Sequence, residues 1–277
     1  TMEPEISLLM ASLAGLGGGG AAAHGGGSSG VGGGGGGDGA AGDRKQACVV
    51  FDPFCGGGGL LLPAAYLLAK RPSGSEQRWR MIGHDVALEG EDCEQIARDF
   101  VELGLPADSG HLELKRRNLL QWEEHERADD GTVASTYDAI ICDPPYGVKA
   151  SAHTASDAAA QVEERTESVF QLLESLLALA DATLAPSGRL VFFAPQPFES
   201  AAAQTGTEGY HAALPPVPLG LRIRGSYRQE FASRRGFVRH LVVVERSCHP
   251  STCRKAASDE EGGESAAGEF KGSLCSN

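Results

Sequence analysis

The chain has 277 residues and a formal net charge of −13, which suits one large α/β domain and excludes an all-over nucleic-acid platform. Its seven cysteines (Cys48, Cys55, Cys93, Cys142, Cys248, Cys253 and Cys275) are scattered, with no C-x-x-C pair. Neither a disulfide framework nor a zinc site is indicated, so no metal and a reduced, cytoplasmic protein are expected. No apolar run reaches the length of a membrane span, and Glu3 and Glu5 stand where a signal peptide would be basic. Beginning at Thr1 rather than methionine, the sequence is expected to be a piece of a longer chain.

In chain order, "PEISLLMASLAG" reads as a short helix, so residues 1–14 are assigned to an N-terminal helix of the main domain. From Gly15 to Gly42, 17 of 28 positions are glycine. Such a segment cannot bury enough apolar surface to offset its backbone entropy, and residues 15–45 are expected to be a disordered insert. "ACVVF" (47–51) is a buried strand, followed by "DPFCGGGG" and the apolar helix "LLLPAAYLLAK". "RMIGHD" (80–85) is a second strand, and "LEGEDCEQIARDFVELG" a helix stopped by Gly104 and Pro106. "HLELKR" (111–116) and "YDAIIC" (137–142) read as strands. Apolar residues at 169, 173, 176, 177, 180 and 184 share one face of a long helix, and "GRLVFFA" (188–194) follows as a strand. Runs near 217–230 and 237–245 read as a closing hairpin, and residues 248–277, low in apolar content, as a disordered tail.

Strands alternating with helices predict a doubly wound, mostly parallel seven-stranded α/β sheet over 46–247 with a C-terminal antiparallel hairpin. In such sheets ligands sit at the carboxyl ends of the strands, near the reversal of strand order. Four groups of residues fall there. In "VVFDPFCGGGG" the glycines allow a sharp turn and close approach of a ligand to the main chain, with Asp52 as either a participant or a cap. The spacing is neither that of a dinucleotide fingerprint nor that of a P-loop. Asp85 ends the second strand, where it either takes ribose hydroxyls or forms a turn. Asn118 follows the third, able to read an adenine edge or to cap a helix.

The fourth is "AIICDPPYGVK" (139–149), a buried strand stopped by two prolines. Asp143 and the rigid carbonyl of Pro144 are two acceptors suited to the two N–H bonds of one exocyclic amine. Holding both turns the nitrogen lone pair towards an electrophile, and Tyr146 offers a face on which a flat base can stack. The alternative, a strand-terminating turn, asks for none of these side chains. Residues 221–246 also carry seven arginines (222, 224, 228, 234, 235, 239 and 246) against Glu230 and Glu245. They are either solvated strand faces or a phosphate-contacting strip, for which Arg234, Arg235 and Arg239 are the candidates.

"DPFCGGGG", "GHD" and "DPPYG" together resemble S-adenosylmethionine-dependent amino-methyltransferases of the Rossmann-like class. With "TMEPEISLLMA", "GRLVFFAP" and "RHLVVVER", the chain resembles more closely the catalytic half of the tRNA (guanine(10)-N2)-methyltransferase family. The D-P-P-Y motif alone is shared with adenine-N6 and ribosomal guanine-N2 enzymes. The resemblance implies S-adenosyl-L-methionine as cofactor and the N2 amine of a tRNA guanosine as acceptor. It implies that Thr1, Met2, Asp52, Pro53, Gly56, Gly58, Asp85, Asn118 and Asp143 border the cofactor, and that Asp143, Pro144, Pro145 and Tyr146 form the catalytic loop. It also implies two partners, tRNA and a small zinc-containing activator subunit, the latter in keeping with an apolar first helix that could be left exposed. Gly57 stands where the family has a small polar residue, and Asn118 where many relatives have aspartate. The family's N-terminal RNA-binding region has no counterpart in this sequence. The alternatives are ribosomal guanine-N2 or adenine-N6 methylation, and a non-catalytic cofactor-binding subunit.

Overall fold

The computed structural model describes residues 3–16, 47–71, 78–145 (apart from 129, 131 and 134), 158–195, 214–230 and 238–247, with backbone alone for 158–168 and Glu230. Contacts divide the chain into Thr1–Ser247 and Cys248–Asn277, and the described residues all belong to the first unit. Five strands run parallel: β1 (Cys48–Asp52), β2 (Trp79–Asp85), β3 (Leu112–Arg116), β4 (Tyr137–Cys142) and β5 (Leu184–Pro195). A hairpin of β6 (Leu221–Glu230) and β7 (Val238–Arg246) closes the sheet, with β7 antiparallel to both neighbours. The order is β3-β2-β1-β4-β5-β7-β6, a doubly wound α/β sheet as the alternating pattern predicts.

The central strands feed both faces. Val50, Ile141, Val191, Phe193, Leu241 and Val243 point to a cluster capped by α1 (Pro4–Leu13), α2 (Leu61–Ala69) and α3 (Gly90–Glu102). Their neighbours Phe51, Ile140, Cys142, Phe192, Val242 and Val244 point to a second cluster under α4 (Trp122–Glu126) and α5 (Ala158–Thr183). Burial on both faces is why the central strands read as unbroken apolar runs rather than as alternations.

Three boundaries differ from the sequence reading, each for a local reason. Gly15 and Leu16, expected in the glycine-rich insert, instead finish α1. Gly15 takes φ +87° and its N–H donates to the Ser12 carbonyl, while Leu16 N–H donates to Ala11 at 3.1 Å. That is a Schellman ending; Leu16 is buried, and Arg71 donates to the carbonyls of both residues. Second, β5 begins at Leu184, expected on the helix, and runs through "APS" into the expected strand. Ser187 sits at φ +63°, the register with β4 shifts, and a Cβ on Gly188 would lie 2.8 Å from the Ala185 carbonyl oxygen. Third, the stretch after Asn118 forms a 3-10 turn, Leu119–Gln121, running into α4, and Trp122 is buried there.

Helix α1 is not left bare. Its Met10 and Ala11 are fully buried in the cluster that α2 shares, although Leu8 and Leu9 remain exposed. No described helix is long and apolar enough to cross a membrane.

Candidate active site

Strand order reverses at β1, where the chain winds one way to β2 and β3 and the other way to β4 and β5. Parallel pairing then brings every strand's carboxyl end to one edge. Asp52 ends β1, Asp85 ends β2, Asn118 lies just past β3, and Asp143 is the first residue after β4. The crevice between two diverging connections is where an open α/β sheet accepts a ligand.

The glycine-rich turn after β1 is tied to the end of β2. Cys55 N–H donates to the His84 carbonyl at 2.9 Å, and Gly56 N–H donates to Asp85 Oδ2 at 3.0 Å. Asp85 Oδ1 accepts the Ala87 N–H at 2.9 Å, so the carboxylate is fixed by backbone on both sides. Gly56 and Gly58 adopt φ +46° and +77°, a region costly to residues with a side chain. A Cβ on Gly58 would also come within 3.0 Å of Ile96 Cγ2. At Gly56, Gly57 and Gly59 a Cβ would meet nothing within 4 Å, so this main chain faces open space.

Asp52 is 1% exposed and accepts the Phe54 N–H at 2.9 Å. Burial pushes its carboxyl well above the usual carboxylate range. The Phe54 bond pulls the other way, but the charges of Asp85 and Asp143 add to the rise. Burial likewise raises the thiols of Cys55 and Cys142. Three carboxyl groups thus form a basin at this edge, and a cation placed there would lower the cost of ionising Asp52.

Asn118 caps the turn that follows it. Its Oδ1 accepts the Leu120 N–H at 3.0 Å at the start of the 3-10 turn. It also lines a cleft with Phe51, Pro53, His84, Arg117 and Trp122. His84 is 6% exposed and packs edge-on against Phe51. Burial, with Arg117 and Lys115 nearby, lowers its pKa from 6.5 to about 3. Behind it, Tyr137 stacks on Phe51 and its hydroxyl donates to the buried Glu126 at 2.8 Å.

The loop after β4 holds Pro144 buried and Pro145 exposed; Tyr146 lies outside the described residues, as do Thr1, Met2, Arg234 and Arg235. Of the late arginines, Arg222, Arg224 and Arg228 are exposed, whereas Arg239 is buried. Arg239 is 8% exposed and its Nη1 reaches Asp143 Oδ2 at 3.2 Å and Oδ1 at 3.4 Å. Arg222 and Arg224 pair with Glu245, at 2.7 and 3.2 Å, and Arg246 donates to the carbonyls of Asp181 and Leu184. Their described partners include Glu245, Asp143, Gln229 and main chain. Among the described residues, no group of three His, Cys, Asp or Glu side chains is placed to hold a metal ion.

Residues 41–212, more than half of the sequence, match the family described as RMKL-like, methyltransferase domain. The chain belongs to that family. No curated protein matches it. Among solved structures, TrmN from Thermus thermophilus is 21% identical over 72% of this chain and 44% of that one, with a TM-score of 0.45. A type I restriction-modification methyltransferase subunit from Streptococcus thermophilus is 15% identical over 90% and 45%, TM-score 0.49. A putative rRNA-methylase from Clostridium thermocellum is 14% identical over 73% and 88%, TM-score 0.41. The chain spans under half the length of the first two.

A methyltransferase of this family implies S-adenosylmethionine as the methyl donor. The residues fit such a group, because the open glycine main chain lies beside Asp85 and the basin around Asp52 complements a cationic nucleoside.

Proposed function

We propose that this chain transfers a methyl group from S-adenosylmethionine to the exocyclic N2 amine of a guanosine in tRNA. The observation that carries the reading is the position of Asp143. It is the first residue after β4, at the point of strand-order reversal and next to the glycine-rich turn. Family membership supports methyl transfer. The combination of "YDAIICDPPYGVK" with the flanking stretches "TMEPEISLLMA" and "RHLVVVER" supports a tRNA guanosine over the other substrates of D-P-P-Y enzymes.

When bound, the donor supplies an electrophilic methyl on a cationic sulfur. The residues of this chain then have positioning work to do. Asp85, held by Gly56 and Ala87, keeps lone pairs for a pair of ribose hydroxyls. Asp143 and the Pro144 carbonyl each accept one N–H of the amine. The nitrogen lone pair is thereby aimed at the methyl carbon, and the carboxylate takes up the proton that the methylated nitrogen releases.

The test offers the full chain with radioactive donor to unmodified tRNA, ribosomal RNA and DNA, followed by mass analysis of the nucleosides. N2-methylguanosine from tRNA is expected. N6-methyladenine or label confined to ribosomal RNA would replace the substrate assignment, and no label in any of the three would leave a binding subunit. Asp143→Ala is expected to lower transfer by about 100-fold or more while donor affinity stays within about 2-fold.

A further inference from the structure

Arg239 is the first inward-facing residue of β7, and its placement follows from topology. β7 runs antiparallel to β5, so its amino end arrives at the carboxyl edge of the parallel strands, with Arg239 opposite Pro195. The side chain lies on the face shared by Phe193, with its guanidinium carbon 3.6 Å from that ring's centroid. Nε donates to Gln229 Oε1 at 2.7 Å, from the cross-strand partner on β6. Nη1 then spans both oxygens of Asp143, whose side chain is 29% exposed against 9% for the arginine. A cation stacked on an aromatic ring and held by a neutral amide is fixed in two directions before it meets its carboxylate.

We propose that Arg239 is the residue that positions Asp143 for methyl transfer: Phe193 and Gln229 lock its guanidinium, which orients the carboxylate towards the acceptor amine. The inference rests on the reading of Asp143 as the amine acceptor. Arg239 thereby leaves the set of phosphate-contacting candidates, since a guanidinium committed to Asp143 on the buried side of the hairpin does not face a polyanion. The closing hairpin becomes part of the reaction machinery, and Gln229 acts through the arginine. A carboxylate misplaced by an ångström is enough to cost about 100-fold in rate, so the effect belongs in turnover rather than in binding.

The experiment measures kcat, KM and donor affinity for Arg239→Met, Arg239→Lys, Asp143→Asn and Asp143→Asn with Arg239→Met, in the full chain. The nucleic acid is whichever of the three the wild type labels. Arg239→Met is expected to lower kcat by about 10- to 100-fold, with donor affinity and nucleic-acid KM within about 2-fold. Arg239→Lys, which keeps the charge but not the flat stack or the bond to Gln229, is expected to recover part of that loss. The double variant is expected to be no slower than Asp143→Asn alone, because the arginine acts through the carboxylate. Removing the cation can also loosen the fold, so near-UV spectra accompany each variant, and the double variant removes the charge that has lost its guanidinium. A wild type that labels nucleic acid while Arg239→Met keeps its kcat overturns this inference alone. Fully additive losses in the double variant overturn it as well. A wild type that labels nothing overturns both the inference and the reading of Asp143 beneath it.

Discussion

Burial decides charge at the candidate site, and His84 shows the sign most directly. Its folded pKa of about 3 lies below the 6.5 of an ordinary histidine, so between those values the unfolded chain binds the extra proton. Stability contributed by neutral His84 is therefore complete above pH 6.5 and is lost as pH falls towards 3. Asp52 carries the opposite sign in part of this window, since its raised pKa makes the folded state hold a proton that the unfolded state has released. Comparing wild type with His84→Gln in urea titrations isolates the histidine. The difference in unfolding free energy is expected to change by about 1.4 kcal/mol per pH unit between pH 6 and 4.5, the wild type losing more. Parallel curves would show that His84 titrates normally in the fold. Other residues of the site were readable in the sequence to different degrees. Asp143 announced itself because strand, carboxylate and double proline are contiguous. Asn118 left two roles open; the structure shows its cap to Leu120 and also its place in the lining of the cleft. Arg239 could not be seen as Asp143's partner, since 96 residues separate them and the pairing exists only once β7 lies beside β5.

The same difference between local and long-range causes governs the elements. Helices and strands with a strong period were legible to within a few residues. Those set by backbone geometry were not, as at Leu16 and Ser187, where a positive φ and a Schellman bond move the boundary. The arginine-rich hairpin was legible as strands but not as a network. Glu245 on β7 gathers Arg189 from β5 and Arg222 and Arg224 from β6, and Arg189 also donates to the Leu13 carbonyl at the end of α1. Burial pushes the Glu245 carboxyl up. The hydrogen bonds from Arg222 and Arg189 and the charge of Arg224 outweigh it and hold the group below its usual range. Arg222 and Arg224 have half-exposed side chains that can return to water, which limits the cost of losing the centre. Glu245→Gln is expected to lower stability by about 1–2 kcal/mol, read as a smaller urea midpoint at unchanged slope. An unchanged midpoint would mean that the three arginines are spectators.

For the whole molecule, charge sets what the chain can do with a polyanion. The sequence carries 37 acidic residues against 24 lysines and arginines. Four of the seven arginines in the late strip have partners within the chain: the half-exposed Arg222 and Arg224 meet Glu245, Arg239 meets Asp143, and Arg246 meets main-chain carbonyls. That internal use was hidden in the sequence, where a run of arginines reads the same whether it faces phosphate or protein. Phosphate contacts supply most of the affinity of a tRNA-binding surface, and each one releases a counterion. A chain with a net charge of −13, several of whose strip arginines already face carboxylates, offers a polyanion little net attraction. The chain as given is therefore expected to bind tRNA no more tightly than about 10⁻⁵ M near physiological salt, with a shallow dependence of log K on log salt. Neutralising Arg222 and Arg224 should leave that slope as it is, whereas Arg234→Ala should flatten it by about one counterion if Arg234 meets the backbone. Fusing a basic RNA-binding region in cis should raise affinity by supplying contacts and effective concentration, without altering donor binding. Filter binding at several salt concentrations measures all of this. Submicromolar binding with a steep slope from the unfused chain would show that a cationic surface exists elsewhere on it.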